Sequence, residues 1–385
     1  MAKRPNLAMI PAGYKSRVLY SAIPEEEVGD FAFERTGVGT RVNSDGLIVS
    51  MASQLPRLNY DLTNNVASRC PHFLLEPART NLIHYSNNFA GTGWGNTDAT
   101  LTANTTSSPD GTLNASTLKA TSAGGFNNYN ATGASSTSHT VSIYIKRKTG
   151  TGQVQLYGPE NAYQDITVTS DWTRFDFTAT STTTAIRIGV KLAVSGDEVF
   201  LFGAQAEAGL YATTYIPTDG GTATRAIETA INSGSAATFN SESGILFAEI
   251  AALTRSAETS YLGLSDGTNN NVVLLGYTAT LNRITAFCGG ADDVSINYAS
   301  TDKRELHKCA VSYQNNKVKF WVNGSQVGST QTTFTIFAVN TLNTLRFDYG
   351  DGSNDFFGKC KDLRVYDTDG MSDTEIDNLL TEITI

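Results

Sequence analysis

The sequence predicts an all-β protein: an extended N-terminal arm followed by two β-sandwich domains, with one short C-terminal helix. Three observations carry this. Apolar and polar residues alternate with period two in several runs, the spacing of a half-buried strand. Stretches rich in Gly, Asn and Thr separate those runs at short intervals, as turns do between sandwich strands. A helix start signal followed by an apolar stripe occurs only at the C-terminal end. At 385 residues the chain is long enough for two or three domains with proper cores.

The first block, residues 1–85, carries most of the prolines: Pro5, Pro11, Pro24, Pro56, Pro71 and Pro77. Proline fixes φ and removes a backbone donor, so only short strands are expected here. One is Asp30-Phe31-Ala32-Phe33-Glu34-Arg35. Asp45-Gly46 signals a tight turn between Arg41-Val42 and Leu47-Ile48-Val49. An arm of this kind buries little apolar surface alone, so it needs a partner chain or a neighbouring domain.

The second block, residues 86–219, alternates clearly. Val141, Ile143 and Ile145 interleave with Ser142, Tyr144 and Lys146. Ile186, Ile188, Val190 and Leu192 interleave with Arg187, Gly189 and Lys191. Phe175 and Phe177 flank Asp176 after Trp172. This block reads as a β-sandwich. The basic run Lys146-Arg147-Lys148 precedes Thr149-Gly150 and reads as a solvated turn.

The third block, residues 220–385, opens with a Gly/Thr joint. Ile245 to Ile250 and Val272 to Tyr277 read as buried strands. In Lys317 to Val327, Val318, Phe320 and Val322 face one way, and Asn323-Gly324 supplies the positive φ of a hairpin turn. Ser372 is an N-cap, Ser372-x-x-Glu375 makes a capping box, and Ile376, Leu379 and Leu380 form the helical stripe.

Composition excludes several classes. A net charge of −9, with 17% charged residues, argues against nucleic acid, which needs clustered Lys and Arg. No run approaches the length of a membrane-spanning helix, so no membrane insertion is expected. The N-terminus lacks the apolar core of a signal peptide, and the sequons at Asn104, Asn114, Asn130 and Asn323 are read as incidental. Cys70, Cys288, Cys309 and Cys360 form no CxxC pair and no zinc spacing; burial in a reducing compartment accounts for them.

Several stretches carry a resemblance. Ala8 to Lys15, Arg41 to Ile48, Pro56 to Asp61 and Cys70 to Leu82 resemble the N-terminal region of phage tail or head-fibre proteins. Tyr85 to Phe89 with Trp94 looks like the same family. Phe202-Gly203-Ala204-Gln205-Ala206-Glu207-Ala208-Gly209, closing on Tyr215-Ile216-Pro217-Thr218, resembles the end of a carbohydrate-binding-module-like sandwich of phage virion proteins. Phe320 to Gly324, Leu363 to Asp367 and Met371 to Ile376 are similar to concanavalin A-like, laminin-G-like sandwiches. The resemblance implies a jelly-roll sandwich over 86–219, a concanavalin A-like one over 220–385, and a virion-anchoring, oligomerising role for residues 1–85. It also implies a homotrimer on the virion surface, assembled in the host cytoplasm and contacting other virion proteins through the arm.

The chemical candidates are few. A glucanase of the concanavalin type pairs two carboxylates about 5–5.5 Å apart if it retains configuration, from a strand motif of the form Glu-x-Asp-x-Glu or Glu-x-Asp-x-x-Glu. Glu375-Ile376-Asp377 is a fragment of it, and it sits in the capped helix. No Gly-x-Ser-x-Gly elbow occurs, and His72, His84, His139 and His307 stand in no suggestive context. Gly91-Thr92-Gly93-Trp94-Gly95 lacks the strand-to-helix setting of a dinucleotide loop. Asp348, Asp351 and Asp355, with Gly350, Gly352 and Asn354, are the calcium candidates, because a hard cation takes several oxygens on a flexible loop. Trp94, Tyr157 and Tyr163, in polar surroundings, and Trp321, alternate to Val318, Phe320 and Val322, are the glycan-stacking candidates.

The expected function is therefore non-enzymatic: a tail fibre or receptor-binding protein that attaches a particle to host-surface glycan, without organic cofactor. A head fibre or capsid-decoration protein, with optional mucus adhesion, is the second reading, and a polysaccharide depolymerase the third.

Overall fold

The computed structural model describes residues 3–24, 27–63, 65–255 and 258–385. The protein is almost entirely β, with two sandwiches and one C-terminal helix. No helix among the described residues is long and apolar enough to cross a membrane.

The first sandwich packs two five-stranded antiparallel sheets. One runs Trp94–Thr97, Gly125–Thr132, Ala185–Leu192, Val154–Tyr157, Tyr163–Ile166. The other runs Ala99–Thr106, Ala115–Ala120, Glu198–Ala208, Thr137–Thr149, Thr173–Ser181. The alternating residues Val141, Ile143, Ile145, Ile186, Ile188, Val190 and Leu192 all point into the shared core. Their polar neighbours therefore lie on the two outer faces. Lys146-Arg147-Lys148 is not a turn. It lies within the long strand Thr137–Thr149, where Arg147 meets Asp197 at 3.4 Å and Lys148 meets Glu198 at 2.7 Å. Pairing with the acidic start of the neighbouring strand extends the ladder through the basic run.

The second sandwich packs an eight-stranded sheet on a five-stranded one. Its larger sheet borrows three strands from the first block: Leu7–Met9 and His72–Leu75 both pair with Gly358–Asp367, and Leu58–Asn59 pairs with His72–Leu75. Leu7, Met9, Phe31, Phe33, Leu58, Phe73 and Leu75 join one core with Leu246, Leu345, Phe347 and Leu363. Residues 1–85 thus find the neighbouring domain they need within their own chain. Their strands are two to four residues long, as the prolines require.

The joint is built in as well. Ala223–Arg225 pairs with Arg79–Asn81, and Thr229–Ile231 pairs with Phe31–Glu34. At the centre sits a buried charge cluster. Glu228 accepts from Arg35 at 2.9 Å and from Arg57; Glu76 lies 2.8 Å from Arg57 and 2.9 Å from Arg225. Thr214, at the exit of the first sandwich, donates its N–H to Glu76 at 2.8 Å and its hydroxyl at 2.6 Å. One cluster therefore ties the first block, the first sandwich and the joint together.

The helix Asp373–Thr384 has the full capping box at Ser372 and Glu375. Ile376, Leu379 and Leu380 cover Ile245, Phe247, Ala310 and Tyr366 on the outer face of the larger sheet.

Candidate functional site

The outer face of the first sandwich's Trp94–Ile166 sheet is set by register. Phe126 pairs with Lys191, and Lys191 with Gln155; Asn128 pairs with Gly189, and Gly189 with Tyr157. Tyr157 pairs in turn with Tyr163. All are alternate to core residues, so their side chains share the solvent face. Gly189 lets the Asn127–Asn128 strand approach closely in the middle of that row, since a Cβ there would sit 2.5 Å from the Asn127 carbonyl oxygen.

Tyr157 and Tyr163 form a stack, with centroids 4.6 Å apart and planes 13° off parallel. Tyr157 is buried beneath it, and Tyr163 is 42% exposed. The Tyr157 hydroxyl is fixed twice: it donates to Asn161 Oδ1 at 2.7 Å and accepts from Arg187 at 2.6 Å. Tyr163 is therefore backed by a ring that cannot swing away. Lys191 Nζ lies 4.8 Å from its centroid. Burial, helped by Tyr157, raises the Tyr163 phenol above its ordinary value, so it stays a neutral hydroxyl at physiological pH.

The acids of this region are engaged. Asp165 accepts from Gln155 at 2.8 Å, and Glu160 accepts from the Thr182 hydroxyl at 2.6 Å. With Tyr157 stacked on it and the Lys191 ammonium over the ring, Tyr163 can take the apolar face of a sugar once that flexible lysine swings aside, leaving ammonium, amide and carboxylate to hydrogen-bond the hydroxyls.

The other two aromatic candidates pack instead. Trp94 pairs in register with core-facing Tyr129, so it points inward. Its ring lies 4.8 Å from Phe89 and 5.3 Å from Tyr129, and its Nε1 donates to the Tyr85 carbonyl at 2.9 Å. Trp321 lies under the C-terminal helix against the Ile245 and Leu380 cluster, with its Nε1 buried and unpartnered. The rim residues Arg187, Lys191 and Gln155 were missing from the sequence candidates. The alternation of Arg187 and Lys191 with the buried isoleucines was the available signal.

The three calcium candidates do not converge. Asp348 is buried and held by Arg346 at 2.8 Å. Asp351 closes its own exposed turn by accepting from Ser353 at 2.6 Å. Asp355 is pushed up to about 6 by burial and by the Asp348 charge. Among the described residues no three His, Cys, Asp or Glu side chains come together as a metal site.

Several other reactive groups have structural partners. Glu375 caps the helix, and Asp377 pairs with Lys319 at 2.5 Å. His307 Nε2 shares a hydrogen bond with the Ser300 hydroxyl (2.9 Å), and His139 Nδ1 donates to the Thr137 carbonyl (3.0 Å). The four cysteines are free thiols, with Cys288, Cys309 and Cys360 buried and Cys70 exposed.

No protein of curated function matches the sequence. Among solved structures, the chain is similar to domain 4 of AbnA, a GH43 extracellular arabinanase from Geobacillus stearothermophilus, in complex with arabinotriose. Identity is 12% and the TM-score 0.33, over 41% of this chain and 73% of that one. It is similar to the CBM22-1 xylan-binding domain of Paenibacillus barcinonensis Xyn10C at 12% identity and TM-score 0.25, over 34% and 94%. It is also similar to domains LG4-5 of the mouse laminin alpha1 chain at 9% identity and TM-score 0.26, over 78% and 92%. None of these likenesses is close enough to carry a function over. By family, residues 251–377 of the second sandwich match the concanavalin A-like lectin/glucanases superfamily.

Proposed function

We propose that this protein is a non-enzymatic glycan-binding protein that attaches a virion to a surface, with the Tyr157–Tyr163 face as its contact. The single observation behind the binding site is the exposed Tyr163 ring, stacked on a buried and doubly hydrogen-bonded Tyr157. Such a platform costs little ordering entropy when a sugar docks. The acids around it are tied up in hydrogen bonds, which favours binding over hydrolysis. The match of residues 251–377, in the other sandwich, to a superfamily of lectins and glucanases supports glycan recognition by the chain.

The virion setting rests on the resemblance of residues 8–15, 41–48, 56–61 and 70–82 to phage fibre proteins. Within it, a tail fibre or receptor-binding role leads, and a head-fibre or capsid-decoration role is the alternative. Three chains in a homotrimer would turn weak sites into firm attachment through effective concentration. A calcium requirement is not part of the proposal.

A glycan array probed with the wild-type chain and with Tyr163→Ala tests the binding claim. Wild type is expected to light a defined set of glycans that the variant loses, with the bound glycans recovered intact. Shortened glycans would overturn the non-enzymatic part, and an unchanged pattern for the variant would overturn the site. Labelling the protein on particles tests the setting: label at the tail tip supports host attachment, and label over the capsid supports decoration.

A further inference from the structure

The junction between the first block and the first sandwich holds a cleft of about 800 Å³, within the range of ligand sites. Tyr60 lines it from the first block, Tyr144 and Trp172 line it from the sandwich, and Lys359 closes one end. We propose that this cleft is a second saccharide site, on the opposite sheet from the Tyr163 face, and that it takes a neutral oligosaccharide.

The walls are set before any ligand arrives. Trp172 donates its indole N–H to the Ser107 carbonyl at 3.2 Å, which fixes the plane of the ring. Arg174 donates to the Thr213 carbonyl at 2.6 Å and to Ser142 Oγ at 2.8 Å, and its guanidinium lies 5.4 Å from the Tyr144 centroid. At the far end Asp61 accepts from Lys359 at 2.5 Å and from His72 at 3.2 Å. Asn59 lies 3.3 Å from the other ring nitrogen of His72, so this end is fixed as well.

The groups left over define the ligand. Among the described residues the Tyr60 and Tyr144 hydroxyls and the Asp171 carboxylate have no protein partner. They present donors and acceptors beside aromatic faces. An apolar ligand would strand these polar groups. An anionic one would meet Asp171 and Asp61, while the cations Lys359 and Arg174 only balance them. A neutral sugar satisfies both requirements, with its C–H face on the indole and its hydroxyls on the free groups. The ligand class is shared with the function proposed above, but no residue is, so each site can fail alone.

The test is fluorine NMR of the full chain labelled with 5-fluorotryptophan, with cellohexaose, xylohexaose and maltohexaose as neutral probes and hexagalacturonate as the acidic one. Trp172→Phe assigns the Trp172 resonance. The expected result is a saturable shift of that resonance with at least one neutral probe. The shift persists in Tyr163→Ala, and Asp171→Asn or Tyr60→Ala weakens it by about tenfold. Asp171 is exposed, so its variant keeps the test usable if Tyr60→Ala misfolds. A Trp172 resonance unmoved by every neutral probe, a response to the acidic probe alone, or a shift abolished by Tyr163→Ala would overturn the proposal.

Discussion

Tyr163 and Trp94 look alike in the sequence, since both are aromatic residues in polar surroundings. Register separates them: one stands on the outer face of the sheet and the other faces the core. Strand parity depends on which neighbour each strand pairs with, and that information is non-local. Asp355 makes a similar point. Its acidic neighbours lie close in sequence, and in the fold burial, with the Asp348 charge, sets its chemistry. Its folded pKa of about 6 lies above the ordinary value, so the charged form is the penalised one. Stability is therefore lost as pH rises from about 4 to about 6. Asp355→Asn is expected to stabilise the protein above pH 6 by about 1 kcal/mol, after allowance for solvent screening, and to do nothing near pH 4. Urea melts at the two pH values check this.

Local elements were the most legible part of the chain. The capping box, the Asn323-Gly324 turn and the strands of the first sandwich all follow from short-range patterns. Asn323 and Gly324 have φ of 48° and 82°. A Cβ on Gly324 would also sit 3.2 Å from Ile385 Cγ1 on the C-terminal residue. Gly324→Ala is expected to cost about 1–2 kcal/mol, from left-handed strain and that contact. Ser372→Ala is expected to cost about 1 kcal/mol through the lost cap. Chemical denaturation of each variant measures both. The basic run was misread because its partners, Glu198 at the start of a neighbouring strand and Asp197 just before it, lie about fifty residues away. Charge pairing across a ladder extends a strand where local composition suggests a turn.

At the scale of the whole molecule, the short strands of the first block were visible, but their destination was not. Leu7–Met9 pairs with a strand at the other end of the chain, Gly358–Asp367. The five charged residues Arg35, Arg57, Glu76, Arg225 and Glu228 also come from distant segments, and nothing in the sequence groups them. Removing one member leaves buried charge uncompensated. Glu228→Gln is expected to destabilise the protein by about 3–5 kcal/mol, with both sandwiches affected because the cluster joins them. Burial alone would raise the Glu76 carboxyl, but Arg225 and Arg57 outweigh it and hold it at about 2. Its folded value lies below the unfolded one, so its stabilising contribution is complete above about pH 4.5 and is lost as pH falls towards 2. Thermal melts of wild type and Glu76→Gln between pH 2 and 6 are expected to converge at the acid end.

The central claim is that a sugar docks on the Tyr163 ring. Calorimetric titration of a glycan selected from an array, into wild type and into Tyr163→Ala of matched thermal stability, tests it most directly. The account predicts measurable binding to wild type and a loss of at least about tenfold in affinity for the variant. Equal affinities for the two proteins would contradict it.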